Sequence, residues 1–125
     1  DVDLRLRLLW QSLAMALTAD TLNRPDTARW WAEVHQQADA LRKTHGTAPK
    51  VLTQLALVDY RAARLAAEQA HAAGPVPPAT LEALSTALAA LEGLRQRRSL
   101  TPMSQVVHLY EGRAVLARLQ RPPGG

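Results

Sequence analysis

Residues 79–96 read ATLEALSTALAALEGLRQ, and this stretch decides the fold class. Leu81, Leu84, Leu88 and Leu91 recur at spacings of three and four, which lays them along one helix face with Ala83, Ala87 and Ala90 beside them. Two heptads of this kind make a helix-pairing seam, whether the partner is in the same chain or in another subunit. The whole chain is written in the same palette: its 125 residues hold 23 Ala and 21 Leu against 8 Val, with no Ile and no Phe. Helix formers dominate and strand formers are nearly absent, so an all-α single-domain bundle is expected. The chain has no Cys, which removes disulfide scaffolds, thiolate metal sites and cysteine nucleophiles together.

Outward from the seam, punctuation predicts about five helices with largely antiparallel neighbours, filling a helical domain over 1–121 with a loose tail at 122–125. The first runs from near Asp3 to Leu22 with Leu6, Leu9, Leu13 and Leu17 on one face. A turn at Asn23, Arg24, Pro25 and Asp26 leads to a second helix with the stripe Trp31, Val34, Ala38 and Leu41, closed by Gly46 in a positive-φ conformation. The third opens with Thr47 as cap and Pro49 in the first turn, and runs to Ala73, roughly 40 Å at 1.5 Å per residue. Its inward side is Val51, Leu55, Val58, Ala62 and Leu65, and its distal half is mostly Ala. Gly74–Pro78 is the candidate boundary between sub-structures. After the fourth helix, Ser99–Pro102 breaks the chain. The fifth helix then carries Met103, Val107, Tyr110, Ala114 and Ala117 as its stripe, with Val106, Leu109 and Leu116, and Gly112 weakens its middle by about 1 kcal/mol relative to Ala.

The formal net charge of +4 is unevenly spread. Residues 1–92 carry 9 basic and 10 acidic side chains, whereas 93–125 carry six Arg against Glu111 alone. Forked guanidinium donors match phosphate oxygens, so nucleic acid or an acidic protein is the expected partner. The segment from Arg95 to Gln105 has the layout of helix, short turn and helix. Ser104, Gln105 and His108 are placed to read a groove there, with Arg97, Arg98 and Arg113 on phosphates and Arg95 and Arg118 as further nucleic-acid-binding residues. Leu81, Leu84, Leu88 and Leu91, together with Trp30, form the candidate partner interface. Trp31 is assigned to the core and Trp30 left at the surface, because adjacent residues lie about 100° apart on a helix.

Enzyme chemistry finds little support. Glu68 and His71 have the Glu-x-x-His spacing of a helical metal ligand pair, but no second pair completes a site, so no metal and no cofactor is expected. No glycine-rich phosphate loop or nucleophile elbow is present. Arg29 with His35, and Arg64 with His71, resemble the Arg-x(4–6)-His motif of HEPN-type ribonucleases, although Trp30 and Leu65 follow the Arg where that family has a polar residue. The resemblance implies an RNA-cleaving bundle. Every apolar stretch is broken by charge, and Asp1, Asp3, Arg5 and Arg7 lack the basic-then-apolar layout of a secretory signal, so a cytoplasmic protein without membrane contact is expected.

A second resemblance covers residues 31–109. Trp31 lies in an early helix. Leu52 and Thr53 enter a helix with a central aromatic and a trailing run of Asp59, Tyr60, Arg61, Ala62, Arg64, Ala67 and Glu68, ending at Gly74. Leu84, Leu88, Leu91 and Leu94 then lead to Leu100, Thr101 and Pro102. This resembles the helical core of phage terminase small subunits, though a full helix continues here beyond the Leu-Thr-Pro element. The resemblance implies a ring-forming, non-enzymatic protein that engages viral DNA, with no catalytic residues. The leading expectation is thus a small, oligomeric, DNA-associated helical protein of phage or mobile-element type, and the runner-up is a helical protein-interaction or regulatory module.

Overall fold

The computed structural model describes residues 1–97 and 103–121, which form five α-helices and, among the described residues, no strand. They are α1 (Val2–Thr21), α2 (Thr27–His45), α3 (Pro49–Ala73), α4 (Pro78–Gln96) and α5 (Met103–Leu119). The Ser99–Pro102 break and the 122–125 tail lie outside the described residues. Two compact units are present, Asp1–Leu55 and Ala56–Gly125, and the division falls inside α3.

In the first unit α1 packs on α2. The Asp1 carboxylate accepts the Asp3 amide at 3.0 Å and so caps the amino end of α1. At the other end Asn23 adopts φ 53°, the Arg24 amide reaches the Ala19 carbonyl at 2.8 Å and the Asn23 amide reaches Asp20 at 3.0 Å. That pair of bonds is a Schellman closure, with Asn in the left-handed position usually taken by Gly. Gly46, expected at positive φ, sits at φ −65°, and glycine is used there for space instead: an added Cβ would collide with the Arg42 carbonyl oxygen. Ala48 accepts the first amide of α3, from Leu52 at 3.0 Å, and holds the cap position expected for Thr47. The core comprises Leu6, Leu9, Leu13, Ala16 and Ala19 of α1, Val34, Ala38 and Leu41 of α2, and Val51 and Leu55 of α3. Each fully buried Leu or Val here contributes about 1.5–3 kcal/mol. Trp31 is not among them. On α2 the buried stripe runs through Val34, Ala38 and Leu41, and its axis falls between Trp30 and Trp31, so both indoles flank the core half-buried.

The second unit comprises the rest of α3 with α4 and α5. Gly74 (φ +152°) makes the turn out of α3, a conformation open to glycine, and Pro78 occupies the first turn of α4 where no amide donor is needed. Tyr60 is completely buried. The same unit buries Leu84, Leu88, Leu91 and Leu94 of α4 and Leu109, Val115 and Leu119 of α5. α5 is rotated from its expected orientation: Val107 and Tyr110, assigned to the inward stripe, are 47% and 55% exposed. The cause is Gly112. A Cβ at that position would stand 2.5 Å from Leu88 Cδ2 and 2.6 Å from Tyr60 Cε1, so the residue thought to weaken the helix is the one that lets it close onto the Tyr60 ring.

Candidate interaction site

Of the arginines singled out from the sequence, Arg95, Arg113 and Arg118 are held in two carboxylate-centred clusters of the second unit. In the first, Arg95 grips Glu92 with both arms of its fork, Nε to Oε2 at 2.8 Å and Nη2 to Oε1 at 2.6 Å. Arg113 reaches the same carboxylate from α5 at 3.0 Å, and the Gln96 amide adds a bond at 3.3 Å. The Arg95 hydrogen bonds hold the Glu92 carboxyl down to about 2, against partial desolvation that works the other way. Two guanidiniums on one carboxylate leave a positive remainder. It lies beside Tyr110, whose ring centroid is 5.9 Å from the Arg113 guanidinium carbon.

The second cluster joins α3 and α5. Arg64 donates to the Tyr60 hydroxyl at 3.0 Å and pairs with Glu111 and, at 3.5 Å, with Glu68. Arg118 closes on Glu68 at 3.2 Å. Glu68 therefore serves as a counter-ion for two guanidiniums, and Arg64 is held at its Glu68, Glu111 and Tyr60 contacts. Among the described residues no group of three or more His, Asp or Glu side chains could hold a metal ion.

Gln105 and His108 do not lie on the exposed face. Both are half-buried, and Gln105 Oε1 and His108 Nδ1 are enclosed without a hydrogen-bond partner. The His108 ring tilts against Tyr60 with centroids 5.9 Å apart. Burial, then the charges of Arg61 and Arg64, push its pKa below the usual 6.5. Arg97 is exposed and makes no ion pair among the described residues. Arg98 lies outside the described residues, as does the side chain of Ser104. Of the α4 seam, Leu84, Leu88 and Leu91 are buried within the chain; only Leu81 is partly open, lining a cleft of about 530 Å³ with His71, Val76, Leu119 and Arg121. Trp30 donates its indole N–H to Asp26 at 3.2 Å and is faced by Arg29 at 5.4 Å.

The outward face of α5 is where the exposed members gather. At about 100° per residue, Val107, Tyr110, Ala114, Ala117 and Arg121 fall within about 80° of one another, and Arg113 and Arg118 flank them. All seven are exposed. Tyr110 and Arg121 were missed as members of this face from sequence, because Tyr110 was assigned inward with Val107. The counter-ions Glu92 and Glu68 were missed for a different reason: they belong to the acid-rich part of the charge tally, although the Glu92–Arg95 and Arg64–Glu68 spacings of three and four announce the pairs. No family model, curated protein or solved structure matches the chain.

Proposed function

We propose that this chain is a non-enzymatic helical protein that contacts DNA through the outward face of α5. The observation that carries the reading is the composition of that face: Arg113 beside Tyr110, then Arg118 and Arg121 further along the helix, with Ala114 and Ala117 between them. Small residues let a helix approach a polyanion closely while longer guanidiniums reach phosphate oxygens, and an exposed ring beside Arg113 adds a stacking surface. The ion pairs of Arg113 and Arg118 do not block this role. Both guanidiniums are about half exposed, and surface pairs of this kind are worth about 0–1 kcal/mol, which phosphate can outbid. The resemblance of residues 31–109 to terminase small subunits points the same way, toward a protein that works by contact.

The test is fluorescence anisotropy of a labelled duplex titrated with the protein at several salt concentrations. Affinity should fall steeply with salt, and replacing Arg113, Arg118 and Arg121 together by Ala should flatten the slope by the number of phosphates lost. Glu92→Gln should tighten binding by releasing Arg95 and Arg113. No binding at low salt, or binding indifferent to these changes, would overturn the DNA reading. The exposed Val107 and Tyr110 would then favour a protein partner with an amphipathic acidic helix.

A further inference from the structure

α1 is apolar on two opposite faces, and only one of them is used. Leu6, Leu9, Leu13 and Ala16 are buried in the first unit, while Leu4, Leu8, Met15 and Leu22 are 53%, 44%, 41% and 64% exposed. With Gln11 and Thr18, both exposed, the open residues follow the order 4, 8, 11, 15, 18, 22, an alternation of four and three that continues for the length of the helix. At about 100° per residue all six fall within about 80°. This is a helix-pairing seam of the same kind as the α4 seam, but turned to solvent.

The geometry points to a second copy of this chain as its occupant, paired antiparallel along α1. The seam is complementary to itself in that direction. When two copies run opposite with their seams facing, Leu4 comes level with Leu22 of the second copy, Leu8 with Thr18, and Gln11 with Met15, and the two-fold axis repeats each contact. All four large apolar side chains are covered in this register. A slip of one heptad either way strands Leu22, or Leu4 and Leu8, in water.

Charge selects the same direction. Arg7 flanks the seam at its amino end, Arg5 turns toward α2 where its guanidinium donates to Thr44 Oγ1 at 3.5 Å, and the last turn of α1 carries no basic residue of its own. Antiparallel pairing brings the Arg7 guanidinium to the negative carbonyl end of the second copy's helix, which lacks such a complement. Parallel pairing would leave both Arg7 side chains at the amino ends, away from either carbonyl end. The surface belongs to the first unit and does not depend on what α5 meets.

Sedimentation equilibrium of the whole chain over the micromolar range tests the pairing. The mass should rise with concentration from 13.7 kDa toward twice that value. Leu8→Glu with Met15→Glu should return it to the monomer while the circular dichroism spectrum stays unchanged, since both positions face solvent. The direction is read by cross-linking, for which the chain has no competing Cys. Leu8→Cys mixed with Thr18→Cys should give a disulfide-linked pair under oxidation, and neither alone should, because like positions lie about 15 Å apart along the axis. A monomer at every concentration, a dimer that survives the double Glu variant, or Thr18→Cys linking readily to itself would overturn the inference.

Discussion

The two units are built from one residue palette and close by different means. In the first, the aromatic rings stand at the rim. Trp10, Trp30 and Trp31 are half-buried, and each indole N–H finds a side-chain acceptor: Gln54 at 2.7 Å, Asp26 at 3.2 Å and Asp20 at 3.4 Å. The centre is left to Leu, Val and Ala. In the second unit the aromatic ring is the centre: Tyr60 is fully enclosed, its hydroxyl accepts from Arg64, and Gly112 gives it room. A rim ring adds cover and one hydrogen bond, whereas a central ring sets the distance between helices. The first arrangement should tolerate loss of a ring, and the second should not.

The largest effect expected is from Tyr60→Ala, a loss of about 3–5 kcal/mol in denaturant unfolding followed by circular dichroism, from the cavity left under α5. Next comes a pair of glycines of opposite sign. Gly112→Ala should destabilise by about 1–3 kcal/mol because the new methyl meets Leu88 and Tyr60. At Gly93 the nearest outside atom to an added Cβ is Arg97 Nη2 at 3.8 Å, so Gly93→Ala should stabilise by about 0.5–1 kcal/mol through helix propensity alone. Equal effects at the two sites would remove the packing role assigned to Gly112. In the first unit, Trp10→Phe keeps the ring and deletes the bond to Gln54, and should cost about 0.5–1.5 kcal/mol by the same assay.

The smallest expected effect is pH-dependent. His108 has its pKa depressed in the folded chain, so between that value and 6.5 the unfolded chain binds more protons. Stability should therefore be fully present above about 6.5 and decline as pH falls below it. His108→Leu should flatten that decline. A melting temperature that falls equally in both proteins from pH 7 to 5 would assign the effect elsewhere.

Helix number and most of the core were legible because Leu spacing is a direct image of a helix face: Leu6, Leu9 and Leu13, or Leu84, Leu88 and Leu91, needed no tertiary information. α5 was not legible in the same way. Both Val107/Tyr110/Ala114/Ala117 and Leu109/Gly112/Leu116/Leu119 read as apolar at helical spacing, and only the clearance that Tyr60 demands chooses between them. Trp31 failed for a related reason, since two adjacent indoles fix no stripe until Val34, Ala38 and Leu41 set its axis. In the candidate site the arginines were visible, but not that Glu92 and Glu68 would reach across from α4 and α3 to hold those of α5.

The rim position of the indoles divides the chain optically. All three Trp lie before residue 32, and the second unit's aromatic rings are Tyr60, Tyr110 and histidines. Emission excited at the red edge of the tyrosine band thus comes from the first unit alone, while the far-ultraviolet helix signal comes from both. Indole emission is accordingly blind to a substitution around Tyr60 or Gly112, which only the helix signal reports directly. A melt in which indole emission and helix signal move together would show the two units unfolding as one, and a separation of the two curves would give each unit a stability of its own.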